Sequence, residues 1–146
     1  MAWTAPRTWT AGEAQTAAFL NAIRDNLLAL RGRELWFDID WGNIAVGTSA
    51  HRRYAYEDRT IITCIAYVGT APTGTTAIFD VHKDGTTIYT TQGNRPTIAI
   101  SGFASTETAP DVTAWAEDSY LTFETDQVGS DDEGADSSIV VIYTKD

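Results

Sequence analysis

Residues 75–91 read TTAIFDVHKDGTTIYTT. Two β-rich arms flank Lys83-Asp84-Gly85, and Asp-Gly is a pair favoured where a two-residue hairpin turn needs positive φ at both central positions. The stretch is expected to fold as a β-hairpin. Upstream, in ELWFDIDW (34–41), Leu35, Phe37, Ile39 and Trp41 alternate with Trp36, Asp38 and Asp40. That period of two belongs to a half-buried strand. RRYAYE (52–57) follows, and RTIITCIAYV (59–68) is nearly continuous in apolar residues, as a central strand would be. Downstream, RPTIAI (95–100), SYLTFETDQV (119–128) and SSIVVIYT (137–144) extend the pattern across polar connections that carry Gly and Pro. Seven or eight short strands are expected with no helix between them. Successive strands of this kind pair antiparallel, so residues 34–146 are expected to form one mainly β domain: a β-sandwich, a jelly-roll-like fold or a barrel.

Residues 1–33 have a different character. MAWTAPRTWT has no period, and Pro6 pushes Ala5 towards an extended conformation. Thr10 and Glu13 have capping-box spacing, and Thr16 is a second candidate cap. Leu20, Ile23, Leu27 and Leu30 then recur at intervals of three, four and three, with Phe19 and Leu28 broadening the stripe. Arg31 and Arg33 suit the negative end of a helix dipole, and Gly32 is a plausible stop. An extended arm and one short α-helix are therefore expected before the β domain. A helix of about four turns is marginal alone in water, so its stripe must pack on the β domain or on copies of itself.

With 146 residues, 43% of them hydrophobic, the chain is long enough to bury a core without staples. No apolar run approaches the roughly 20 residues that a membrane span needs. Trp3, Arg7, Trp9 and Glu13 interrupt any apolar core of a secretory signal, so passage through a membrane by that route is not expected. The formal charge is −10 and is unevenly placed. Residues 1–33 carry four arginines against Glu13 and Asp25, a net of +2, which leaves −12 for the rest. A body so acidic repels phosphates, and nucleic acid is not an expected partner. The charge either keeps the surface solvated or separates an anchor end from an outward acidic end.

Motifs for catalysis are missing from the sequence. His51 and His82 fall on different expected strands or strand ends, and His82 reads as a solvated residue beside the hairpin turn. No zinc spacing, nucleophile elbow, phosphate loop or dinucleotide fingerprint occurs. The single cysteine, Cys64, lies within the most apolar strand and reads as a buried structural thiol. The chain is therefore read as non-enzymatic, without a cofactor. Asp126, Asp131, Asp132, Glu133 and Asp136 offer hard oxygen ligands, but their spacing departs from a calcium loop and a solvated turn is expected. Asp38 and Asp40, two apart on one strand face, and Glu117/Asp118 are the carboxylate pairs a glycosidase would need, and both read better as polar rows. Tyr54, Tyr56 and Trp115 are candidate sugar-contacting rings, with core or subunit contacts as the other reading.

Trp3, Pro6, Trp9 and Gly12-Glu13, followed by TAAFLNAIRDNLLAL (16–30), resemble the N-terminal segment of small structural proteins of tailed bacteriophages. IFDVHKDGTTIYTTQGNRPTI (78–98) and the closing DSYLTFETDQVGS and GADSSIVVIY resemble the β domain that accompanies it. Together they span about two thirds of the chain. The resemblance implies a virion component without enzymatic activity, made in the host cytoplasm. It implies a homotrimer more readily than a dimer, and partners that are the major capsid protein or another virion protein, not a membrane. On this reading Trp3, Pro6, Arg7 and Trp9 form a docking arm, because tryptophan buries a large apolar area at interfaces. Leu20, Ile23, Leu27 and Leu30 would be the oligomerisation face. A compact knob with an arm suits a capsid decoration protein. The alternative is a tail or head fibre protein that binds a host cell-surface receptor, with STETAPDVTAW (105–115) and Trp115 as its first contact.

Overall fold

The computed structural model describes residues 33–145, with side chains from residue 42 onward. The docking residues Trp3, Pro6, Arg7 and Trp9, and the stripe Leu20, Ile23, Leu27 and Leu30, lie outside the described residues. What is described is mainly antiparallel β, in two sheets. Its strands are β1 (Arg33–Asn43), β2 (Gly47–Thr48), β3 (Arg53–Tyr54), β4 (Arg59–Thr70), β5 (Ala77–Lys83), β6 (Thr86–Thr87), β7 (Thr97–Ile98), β8 (Ala114–Trp115), β9 (Tyr120–Gln127) and β10 (Ala135–Lys145). A single 3-10 turn, Gln92–Asn94, is the helical element among the described residues.

Sheet A has the order β1-β10-β4-β8. Its three main strands are 11, 11 and 12 residues long, so the expectation of uniformly short strands fails here. The apolar period of two runs through β10, whereas on β4 it changes phase at a bulge, where Ile142 pairs with Thr63 and Tyr143 with Ile61. Ile139, Val141 and Tyr143 face the core from β10, and their register partners on β4 are Ala66, Cys64 and Ile61. Leu35 and Phe37 pair with Val141 and Ile139, which places β1 in the register its alternation requires. Val140 points away from that core yet is only 2% exposed, with Trp36 and Ile65 as its register partners.

Sheet B is centred on β9 and β5. β2 and β3 both pair with β9, and β6 and β7 both pair with β5. The hairpin forms at the expected turn. Asp84 and Gly85 have φ of 50° and 83°, and the Asp84 carboxylate accepts the Tyr120 amide 3.0 Å away. Only His82–Thr87 and Lys83–Thr86 pair as register partners; the Ile88 amide still donates to the Val81 carbonyl at 2.9 Å, and Ile88 and Tyr89 are buried in the core. Tyr89 is fully buried, and its hydroxyl lies 3.2–3.3 Å from Thr108, which is bridged to Cys64 of β4. That chain of contacts ties the hairpin of sheet B to the edge of sheet A.

Between the sheets lie Ala77, Phe79, Val81, Leu121 and Phe123 from sheet B and Ile61, Cys64, Ala66, Val68, Ile139 and Val141 from sheet A, with Ile88, Tyr89, Ile98 and Trp115 closing the sides. Fully burying a side chain such as Phe79 or Ile139 contributes about 1.5–3 kcal/mol, so this one cluster accounts for the cohesion of the body. Two antiparallel sheets sharing a core are consistent with a β-sandwich.

Candidate functional site

Strand register gives the body two ends. β1 begins at Arg33, opposite Tyr143, at the end that also holds Arg59, Trp115 and the Asp84-Gly85 turn. The other end holds Thr70, Ala135 and the loop of residues 128–134. Asp131, Asp132 and Glu133 stand at this second end, and Glu57, Asp58, Asp84, Glu117 and Asp118 stand at the first. The acidity of the body therefore has no single direction, and the picture of one outward acidic end is set aside.

A surface cleft of about 330 Å³ lies on sheet B, lined by Thr48, Ser49, Ala50, Arg52, His82, Gly85, Tyr120 and Thr122. Its origin is an interruption in an edge strand. β2 pairs with Thr125 and Glu124, and β3 resumes on Leu121 and Tyr120. Ser49 still holds the ladder: its amide donates to the Phe123 carbonyl at 2.7 Å, and its hydroxyl accepts the Phe123 amide at 3.2 Å. Ala50 to Arg52 then arch away before pairing resumes, forming one wall. The β5–β6 turn at Gly85 forms another, and His82 and Thr122, register partners, form the floor.

Polar groups in and beneath the cleft are held firmly. The His82 Nε2 lies 2.9 Å from a Glu124 carboxylate oxygen and 3.6 Å from one of Asp80. Asp80 is 3% exposed; one of its oxygens accepts the Val81 amide at 2.6 Å and the Thr87 hydroxyl at 2.8 Å. Burial holds the Asp80 carboxyl above the usual carboxylate range, and the Thr87, Val81 and His82 contacts only partly offset it. His82 is thus a half-buried residue between two carboxylates, not the freely solvated one its position beside a turn implied. Further along the same sheet, Arg95 pairs with Asp126. The Arg52 guanidinium sits 4.6 Å above the Tyr120 ring, and Tyr54 packs on Tyr120 at 5.5 Å with a 53° tilt. The Tyr54 hydroxyl, and the charge of both tyrosines, push the Arg52 pKa up.

The other expected sites fare differently. Trp115 is fully buried: its indole N–H donates to the Ser119 carbonyl, Tyr143 meets it edge-on at 5.7 Å, and Arg59 lies 4.7 Å over it. It cannot make the first contact with a receptor or sugar, a role that Tyr54 (46% exposed) and Tyr56 (83%) are placed to play. Asp38 and Asp40 do not occupy successive same-face positions of a regular strand. A register irregularity between them pairs Asp38 with Ser138 and Asp40 with Ser137. Two of the acidic candidates for calcium accept backbone amides, Asp132 from Gly134 at 2.9 Å and Asp136 from the distant Gly42 at 2.8 Å, and Asp126 pairs with Arg95. Among the described residues no three His, Cys, Asp or Glu side chains are placed to share a metal ion. Cys64 is buried, and burial pushes its thiol up to about 12. Among the described residues no helix is long and apolar enough to cross a membrane.

The cleft was not foreseen from sequence. Its residues come from three strands and two connections, and the one local signal is the pair of cations at Arg52-Arg53 beside His51.

No family model and no curated protein sequence matches the chain. Among solved structures, the chain is similar to the dimeric latent PorU of Porphyromonas gingivalis, at 15% identity and a TM-score of 0.25, covering 82% of this chain and 10% of that one. It is also similar to a structure of infectious bursal disease virus, Gx strain, at 13% identity and a TM-score of 0.19, covering 79% of this chain and 37% of that one. The chain thus spans a minor part of both, and at these scores neither likeness bears on fold or function.

Proposed function

We propose that the protein is a non-enzymatic virion structural protein of a tailed bacteriophage, a homotrimeric capsid decoration protein that docks through its N-terminal arm and carries a β-sandwich. One observation carries this reading: the contrast between the two parts of the chain. The described core is one cluster that draws on both sheets, with residues from Ile44 to Tyr143. The preceding segment is net positive, with Trp3 and Trp9 in an aperiodic arm and Leu20, Ile23, Leu27 and Leu30 in a narrow stripe. A self-contained module joined to an apolar, aromatic leader is what display on a larger assembly requires. Trp3 and Trp9 serve as anchors, Pro6 stiffens the arm, and Arg7 pairs with carboxylates on the shell. The resemblance of residues 3–30 to the N-terminal segment of such virion proteins supports the same reading.

Deleting residues 2–12 tests it. The truncated protein is expected to keep its fold and trimeric mass by light scattering and to lose stoichiometric binding to purified, tail-less capsids. Unchanged capsid binding overturns the anchor assignment. A monomeric mass for the intact protein overturns the trimer.

A further inference from the structure

We propose that the cleft on sheet B, between the 49–52 arch and the Asp84-Gly85 turn, binds an acidic saccharide. The inference does not depend on the virion reading, since it rests on the cleft alone. A pyranose presents hydroxyl groups around its edge and C–H groups on its faces, so its sites pair polar side chains with an aromatic ring. Here Thr48, Ser49 and Thr122 contribute hydroxyls, His82 an imidazole and Tyr120 a ring. Tyr54, half exposed, extends that aromatic surface. The volume, about 330 Å³, lies at the lower end of the range for small-molecule sites.

Charge selects an acidic sugar over a neutral one. Residues 34–146 carry −12, yet Arg52 and His82 are among the residues that line this cleft. Arg52 is the key group. Its guanidinium stacks 4.6 Å over the Tyr120 ring, which orients its planar face beside the cleft. A planar fork fixed at the mouth of a hydroxyl-lined cleft matches the carboxylate of a uronic or sialic acid. Glu124 and Asp80 hold His82 from beneath, so among the lining residues Arg52 is the cation that meets the anion.

The test titrates the isotopically labelled full-length protein with 3′-sialyllactose and with tetragalacturonate, followed by amide NMR shifts. Maltotetraose and inorganic sulfate are the controls. Shifts are expected at residues 48–52, at Gly85 and at residues 120–122, with maltotetraose and sulfate each weaker by about tenfold or more. Arg52→Gln is expected to weaken the acidic probes by about tenfold with an unchanged melting temperature, and Arg52→Lys to fall between it and the parent. Silence with both acidic probes overturns the proposal, as do shifts confined to another surface. Equal response to maltotetraose removes the acidic selectivity, and equal response to sulfate reduces the site to a bare anion patch. Either result overturns the proposal as stated.

Discussion

Sheet A and sheet B solve the same packing problem with opposite economies. Sheet A is three long strands joined by two long ladders, and even outward-turned Val140 is almost fully covered. Sheet B has one substantial pairing, β5 with β9, and four two-residue strands around it. Its inner face is as apolar as that of sheet A, but its other face carries Asp80, His82, Thr122, Glu124 and Asp126. Long ladders spend their sequence on cohesion. Short, interrupted ones leave backbone free to arch, and the arch at residues 49–52 makes the cleft. The difference teaches that stability is concentrated in one sheet and chemistry in the other.

The sharpest way to break that comparison is Trp115→Ala at the edge of sheet A. Removing a fully buried indole that packs against Arg59 and Tyr143 is expected to cost about 3–5 kcal/mol in denaturant unfolding. Arg52→Gln, on the exposed side of sheet B, is expected to change stability by no more than about 0.5 kcal/mol. Comparable losses would end the division of labour.

Alkaline pH probes the same core without mutation. Cys64 and Tyr89 are both buried, and both ionise above their ordinary values of 9.0 and 10.0, the cysteine at about 12. A raised acid holds its proton in the folded state while the unfolded chain releases it, so the unfolded state binds fewer protons and stability falls as pH rises. The decline is expected to begin near pH 9 and to steepen by up to about 1.4 kcal/mol per pH unit for each group. In Cys64→Ala its onset should move to near pH 10, where Tyr89 takes over. An unchanged onset, followed by circular dichroism across the alkaline range, would show that the thiol is not sealed between the sheets.

Two smaller changes sharpen the view of sheet B. Gly85 has φ of 83°, so Gly85→Ala is expected to cost about 1 kcal/mol in thermal unfolding and to disturb the amides of the cleft wall. Thr125 is fully buried, and its hydroxyl has no hydrogen-bond partner among the described residues. Thr125→Val keeps the shape and removes an unsatisfied group, and is expected to raise stability by about 1 kcal/mol or less. A loss instead would mean that the hydroxyl has a partner that the described contacts do not show.

Legibility followed the range of the forces involved. The Asp84-Gly85 turn was readable because positive φ at two successive residues is a local demand that Gly and Asp meet at little cost. The central strand 59–68 was readable because burial on a pleated sheet imposes its own period. Thr86–Thr91 pairs only in its first part: β propensity continues through Ile88 and Tyr89, but the core claims both side chains and the bonding to β5 ends at the Ile88 amide. Trp115 admits both a sugar-contacting and a core reading in sequence, and the structure decides for the core, because β4 is laid beside it. His82 was taken for solvated because Glu124, its close partner, lies 42 positions away in sequence.

By itself the sequence determined the class of fold, the hairpin turn, the buried thiol and the change of character near residue 33. These depend on backbone preference and on the periodicity of apolar side chains, both written within a few residues. Tertiary structure alone decided which strands became long ladders, where the second arm of the hairpin left its partner, and which cations met around the cleft. Those outcomes depend on competition between distant segments for the same buried surface and the same hydrogen-bonding edge, and no window of sequence contains both contestants.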